Sequence, residues 1–293
     1  MVRKKKKKNR TQIPSFVLGV FALLALAIHE VADGKPVIAQ LEHLIEYISQ
    51  TTITNRSTRT NPILVDKTLC IELPKTDTSA LLLHRRGYVA KYNSGNKIPD
   101  WVAWKLTSQR LSGTAKRTDN FLPDPDLPET FRSYHADYSR SRYDRGHMAP
   151  AGDMKWDQEA MAESFYMSNI CPQAPNLNKG DWRELEETCR EWAIQYDTLY
   201  IVCGPLFKEE EKVKRVGKSK VAVPHGFFKV LLKLGDSPAA VGFLFPNDDC
   251  NASLSAYAVP VDSVEQVSGI DFFPALPDEA EGQLESVNGF SLF

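Results

Sequence analysis

From Thr11 to Ile28 the chain runs without a charge, around the apolar stretch "FVLGVFALLALAI". The run is near the lower length limit for crossing a bilayer. "RKKKKKNR" stands directly before it, and a basic segment ahead of an apolar run is the pattern of an export signal. "ALA" at 25–27 offers small residues for cleavage, but Ile28 and His29 after it leave an uncleaved anchor equally open. The lysines stay on the cytoplasmic side in either case. From 36 to 50 the period changes: Val37, Leu41, Leu44, Ile45 and Ile48 recur at helical spacing. "SQTTITNRSTRTNP" then carries no core pattern. Residues 1–28 are thus expected to be a signal peptide or membrane anchor, 29–65 a linker with one short amphipathic helix, and 66–293 the folded domain.

Within that domain, "GYVAKYNSGNKIPDWVAWKLT" predicts a hairpin, with β-rich runs on both sides of Asn93-Ser94-Gly95-Asn96. "LYIVCGPLF", "HGFFKVLLKL" and "AVGFLFPN" read as buried strands, each ended by Gly or Pro. "DQEAMAESFYMSN" and "GDWRELEETCREWAIQY" predict helices. In the second, Asp181 is placed to cap, with Glu184 three residues on as in a capping box. Trp182, Leu185, Cys189, Trp192 and Tyr196 form its core stripe. Strands and helices mix without βαβ alternation, so the expected class is α+β with a largely antiparallel central sheet and flanking helices.

The length of 293 residues and the 42% of hydrophobic residues allow a sizeable core. The net charge of −1 conceals an asymmetry. Seven positive charges lie in the first ten residues, which leaves −1 − 7 = −8 for the remainder. Residues 79–117 hold eight Lys/Arg against one acid, Asp100, whereas from Pro246 to the end there are nine acids and no Lys or Arg. A basic face beside an acidic tail fits a polyanionic partner met locally, and also fits ordinary solvated surface. Five cysteines (Cys70, Cys171, Cys189, Cys203, Cys250) include no CxxC pair. In an exported chain they suggest one or two disulfides with one thiol left over.

"YDRGHMAPAGDMKW" at 143–156 concentrates the candidate chemistry. Histidine is the side chain best suited to take a proton near neutrality. Gly146 permits a tight turn just before His147, Arg145 offers a planar fork for phosphate, and Pro150 stiffens the exit. The same residues also fit a tight turn holding a structural histidine.

"DRGHMAP" resembles the Asp-Arg-Gly-His signature of the DNA/RNA non-specific endonucleases, the ββα-metal or His-Me finger group. "FYMSNICPQAPNLNKGDWRELE" resembles that family's second block, and "VPHGFFKVLL", "GFLFPN" and "YAVPVDSVEQVSGIDFFPALPD" resemble its closing strands and tail. The likeness covers roughly residues 68–285 and implies a ββα-metal finger active site within the α+β domain. By that resemblance His147 is the general base and Asn178 the single protein ligand of the catalytic metal. Arg145 lies next to the scissile phosphate, Glu186 holds metal-bound water, Arg117 is a second phosphate-binding arginine, and Asp144 supports the motif backbone. Asn169 and Gln173 are candidates to orient Asn178 or His147. Read without the resemblance, Asn178 is a helix cap and Glu186 a solvated helix face. A helix starting at Asn178 would carry Glu186 about 80° around and roughly two turns along.

The implied cofactor is Mg²⁺, with Mn²⁺ possible, since a hard cation is content with few protein oxygens plus phosphate and water. The implied partners are DNA and RNA, together with a membrane if the N-terminal segment is uncleaved. The expected products are a 5′-phosphate and a 3′-hydroxyl. The expected location is outside the cytoplasm: periplasmic, secreted or membrane-anchored. Competing readings are a phosphodiesterase for small phosphodiesters, an inactive nucleic-acid binder and a surface scaffold. The basic segment 79–117 favours a polymer over a small substrate. No helix-turn-helix, zinc finger or RNP motif is present to read sequence.

Overall fold

Strict apolar alternation marks a strand with one wet face, whereas continuous apolar runs mark a strand covered on both. The runs at 198–206, 226–233 and 239–246 are of the second kind, and both faces of the sheet they form are indeed covered. The computed structural model describes residues 72–208 and 212–293. The expected signal or anchor, the linker helix and Cys70 lie outside the described residues. Among the described residues no helix is long and apolar enough to cross a membrane.

The strands, in chain order, are β1 (Leu82–His84), β2 (Val89–Asn93), β3 (Ile98–Thr107), β4 (Asp144–His147), β5 (Ile170–Gln173) and β6 (Thr198–Leu206). They continue with β7 (Arg215–Val216), β8 (Val221–Ala222), β9 (Gly226–Lys233), β10 (Ala239–Pro246) and β11 (Ala258–Val259). Seven of them make one sheet in the order β1-β2-β3-β6-β9-β10-β11, with every neighbouring pair antiparallel. β4 pairs with β5 in a separate ribbon, and β7 with β8 in another. The helices are α1 (Ser108–Leu111), α2 (Gln158–Glu163), α3 (Pro175–Lys179), α4 (Asp181–Tyr196), α5 (Leu254–Tyr257), α6 (Val261–Ser268) and α7 (Asp278–Glu285). The expected α+β class and antiparallel sheet are both present.

The β2–β3 hairpin forms where the sequence predicts it. Asn93 Oδ1 accepts a hydrogen bond from the Asn96 amide at 2.9 Å, an asparagine imitating a turn with its side chain. Lys97 then adopts φ 59° to close the loop. Along β3, β6 and β9 the residues alternate between two cores. Val102, Trp104, Leu106, Leu199, Ile201, Phe227 and Leu231 face the layer that holds β4, β5, α3 and α4. Trp101, Ala103, Tyr200, Val202, Phe228, Val230 and Leu232 face α6 and the segment through Phe272 and Phe273.

Three expectations need correction. The helix predicted over 157–169 ends at Glu163 and gives way to a single-turn helix at Met167–Asn169. Asp157 caps it as Ser, Thr, Asn or Asp should, but Asn169 Nδ2 donates to the Ser164 carbonyl at 2.8 Å, so the chain turns there and buries Phe165 completely. Asp181 does not cap α4. Gly180 is the N-cap without a side-chain bond, and the Asp181 carboxylate accepts from the Tyr257 hydroxyl at 2.8 Å instead. Finally, Cys171, Cys189, Cys203 and Cys250 are all unpaired, and the first three are buried. The three buried ones behave as small apolar core residues rather than as disulfide partners.

Candidate active site

The motif Asp144-Arg145-Gly146-His147 is strand β4, not a turn. Its residues stand opposite Gln173, Pro172, Cys171 and Ile170 of β5. Gly146 is therefore required by close approach rather than by a bend: a Cβ there would lie 2.7 Å from Gln173 Cβ. Gln173 is fully buried and fills the space beneath the strand; it orients neither His147 nor Asn178. Between the strands the chain makes a long excursion, whose mouth is closed by Asn169. Asn169 Oδ1 accepts from the Ala149 amide at 2.9 Å and Nδ2 donates to the Ala149 carbonyl at 2.9 Å. Asn169 thus fixes the backbone just after His147.

After β5 the chain enters α3, with Pro175 in its first turn, where proline is favoured. Asn247, at the end of β10, fastens this junction. Its Oδ1 accepts from the Ala174 amide at 2.7 Å, and its Nδ2 donates to the carbonyls of Pro172 and Pro224 at 3.0 and 2.9 Å. The helix stops at Gly180 (φ −105°, ψ −114°), where a Cβ would sit 2.5 Å from the Asn176 carbonyl oxygen. Asn178 and Glu186 consequently lie on two different helices, α3 and α4, rather than along one. β4, β5 and α3 make up the ββα finger.

Arg117, Arg145, His147, Asn178 and Glu186 all line one cleft of about 540 Å³, together with Asp119, Phe121, Asp144, Lys179, Arg183, Glu187 and Arg190. All five residues singled out in the sequence therefore meet. The His147 ring lies between two aromatic rings, 5.5 Å from Phe121 and 4.9 Å edge-on to Phe165. The Arg145 guanidinium lies 4.5 Å over Phe121 and that of Arg117 5.0 Å over Phe165. His135 contacts Arg145 as well. His147 Nε2 is buried and has no hydrogen-bond partner. Burial, with the charges of Arg117 and Arg145, pushes the imidazole pKa down to about 3, so the ring is neutral at physiological pH.

Asn178 Nδ2 donates to Asp144 Oδ2 at 3.1 Å, which fixes the amide and leaves its oxygen free of that bond. Lys179 Nζ lies 2.7 Å from the same carboxylate oxygen. Burial works against the Asp144 carboxylate, but the hydrogen bonds from Lys179 and Asn178 outweigh it and hold its pKa below the ordinary value. Asp144 therefore does more than support the motif backbone. Burial pushes Glu186 up to about 7, with Lys229 opposing the shift. Lys229 is 1% exposed on the sheet beneath, and its ammonium lies 4.3 Å over Trp182. Beside it Asp153 accepts from Arg190 at 3.1 Å and from Trp104 Nε1 at 3.1 Å.

Sequence reasoning missed Phe121, Phe165, His135, Lys229 and Asn247. Phe165, Lys229 and Asn247 stood in quoted blocks without a role. Phe121 and His135 carried no local signal, because what defines them is contact with distant residues.

Comparison with known proteins agrees with this geometry. A family model described as DNA/RNA non-specific endonuclease matches residues 66–279. The mitochondrial nuclease EXOG of Danio rerio is 40% identical over 220 residues, 70% of this chain and 64% of that protein. A nuclease of Nostoc sp. is 34% identical over 282 residues, 92% of this chain and 96% of that protein. The chain spans less than two thirds of the length of the EXOG proteins it matches. A chain of the solved EndoG/EndoGI complex superposes with a TM-score of 0.70 at 30% identity, covering 79% of this chain and 98% of that one. With the family model matching most of this chain and the ββα finger in the matched region, the chain belongs to the DNA/RNA non-specific endonuclease family.

Proposed function

We propose that the cleft hydrolyses phosphodiester bonds of DNA and RNA, with a divalent cation at Asn178, His147 as general base and little preference for sequence. The observation that carries this reading is the convergence in one cleft of a neutral imidazole, two guanidinium groups and an oriented amide oxygen.

The residues fit a hard cation. The Asn178 amide is held through its nitrogen, so its oxygen is the atom left to bind, and the Glu186 carboxylate lines the same cleft. Magnesium first, and manganese second, would supply positive charge to the non-bridging and departing oxygens of the phosphate. The neutral imidazole of His147 accepts the proton of the attacking water. Its low pKa guarantees the neutral form, and part of the depression comes from Arg117 and Arg145. A substrate phosphate lying against those arginines cancels their charge, so the imidazole becomes a better base as the substrate arrives. Arg145, stacked on Phe121, is held where charge builds on the phosphate. Arg117 contributes a second contact from a more exposed loop. The expected ends are a 5′-phosphate and a 3′-hydroxyl.

All of these groups address phosphate, which every nucleic acid presents alike, and no step uses a ribose 2′-hydroxyl. Residues 66–293 form the nuclease domain in this reading. Thr11–Ile28 directs the chain to a membrane and places that domain outside the cytoplasm, where protease added from outside would reach it in intact cells.

The deciding experiment is cleavage of matched single- and double-stranded DNA and RNA with Mg²⁺, at two salt concentrations, against EDTA and against His147→Ala. The expected result is metal-dependent cutting of all four substrates, weakened by salt as released counterions reclaim the phosphates. Dependence on one sequence, cleavage of RNA alone, 3′-phosphate ends, or full turnover by a folded His147→Ala protein would overturn it.

A further inference from the structure

On the sheet face opposite the cleft, α6 and α7 bring three carboxylates together. Asp262 and Glu265 stand one turn apart on α6 and Glu285 ends α7, and their side-chain oxygens all lie within 4.8 Å of one another. Glu285 is 4% exposed, and its Oε1 has no hydrogen-bond partner. One turn earlier on α7, Glu281 Oε1 is also buried without a partner. Glu265 accepts from the Phe272 amide at 2.8 Å. The nearby Asp271 is taken by Lys75 at 3.1 Å, and from Pro246 onward the sequence has no lysine or arginine. A buried acceptor facing two other carboxylates, without a donor, is costly unless something positive joins them.

We propose that Asp262, Glu265 and Glu285 bind one hard divalent cation of calcium type, which ties α6 to α7 and is separate from the catalytic cleft. All the donors are carboxylate oxygens, which suits calcium or magnesium and not a soft metal. The regularity of the shell separates the two. Calcium accepts an irregular shell of carboxylates and waters at about 2.3–2.6 Å, whereas magnesium demands a near-regular octahedron at about 2.0–2.1 Å and gives up its waters reluctantly. Glu285 supplies a ligand from the core side, while the more exposed α6 side is open to waters that complete the shell. The rival occupant is a proton shared within the cluster. The proposal does not rest on the nuclease reading.

The test uses the full chain carrying Asn178→Ala, so that the cleft does not contribute a metal signal. Thermal unfolding is followed in CaCl₂, in MgCl₂ and in EDTA, and calcium binding is titrated by calorimetry. At about 100 times the dissociation constant, calcium should raise the midpoint by about 5–10 °C over EDTA. Magnesium should give a smaller shift, and calorimetry should show one calcium per chain at this site. Glu285→Gln should abolish the calcium response. Asp262→Asn, at an exposed position, should weaken it without threatening the fold, and decides the matter if Glu285→Gln does not fold. A midpoint of the parent indifferent to calcium, or a calcium shift retained in both variants, would overturn the proposal; an indifferent midpoint would assign the cluster to a proton.

Discussion

Replacing Asp144 with alanine isolates how the cleft holds the Asn178 amide. An asparagine amide can present either its oxygen or its nitrogen, and only the oxygen binds a cation. Asp144 Oδ2 selects the useful orientation by accepting from Nδ2 at 3.1 Å. A hydrogen bond to a charged partner contributes about 1.5–3 kcal/mol, which corresponds to a preference of roughly 10- to 150-fold at about 1.4 kcal/mol per decade. Removing an outer partner of a metal ligand characteristically costs about 10–100-fold in metal affinity or activity, so the two routes agree. In Asp144→Ala, the Mg²⁺ concentration for half-maximal cleavage should therefore rise about 10–100-fold, while turnover at saturating Mg²⁺ stays near that of the parent. Lys179 shares the same carboxylate but its side chain is 68% exposed; Lys179→Ala should leave the metal curve almost unmoved, because exposed pairs contribute little. Initial rates on a plasmid across a Mg²⁺ series measure both quantities. An unchanged half-maximal concentration in Asp144→Ala, with turnover lost instead, would refute the orienting role.

Asn178→Ala should weaken metal-dependent cleavage severely and Asn178→Asp less so, since aspartate keeps an oxygen ligand; a metal titration of all three proteins distinguishes them. His147→Ala should lose at least about 100-fold in turnover and also alter stability against pH. The unfolded histidine protonates near pH 6.5 and the folded one only near pH 3, so between these values the unfolded state binds the extra proton and the parent loses stability as pH falls. Urea unfolding at pH 7 and pH 4.5 should show the parent losing more than the variant, and parallel losses would contradict the burial of His147. Gly146→Ala should destabilise the domain by about 1–3 kcal/mol, because Gln173 has nowhere to retreat. A denaturation midpoint equal to the parent's would show that β4 can move off β5.

The sheet was legible because its central strands are buried on two sides and so read as unbroken apolar runs, and α4 because Trp182, Leu185 and Cys189 repeat at helical spacing. The site residues were legible through the resemblance, not through periodicity: His147, Asn178 and Glu186 sit on three different elements, and no single helical or strand period relates them. The break at Gly180 was invisible, since an Asp-x-x-Glu pattern one residue later offered a plausible cap. The purpose of Gly146 was misread for a similar reason. A glycine that admits a neighbour from 27 positions further on, Gln173, looks in sequence like one that admits a turn. The aromatic bed under His147 draws Phe121 and Phe165 from either side of the motif, and Lys229, like Lys233, interrupts a strand of mostly apolar side chains. Each of these depends on which distant residue it touches.

The unpaired thiols reach beyond packing. Cys171, Cys189 and Cys203 are sealed in the core, and burial raises their pKa, so little reactive thiolate is available for exchange. Among the described residues no crosslink has to form before the sheet and finger come together. These three thiols are then indifferent to redox poise. As far as these three thiols go, the core can form in a glutathione-rich interior as well as in an oxidising space. A domain of this kind can change its address in evolution by exchanging only the segment ahead of it.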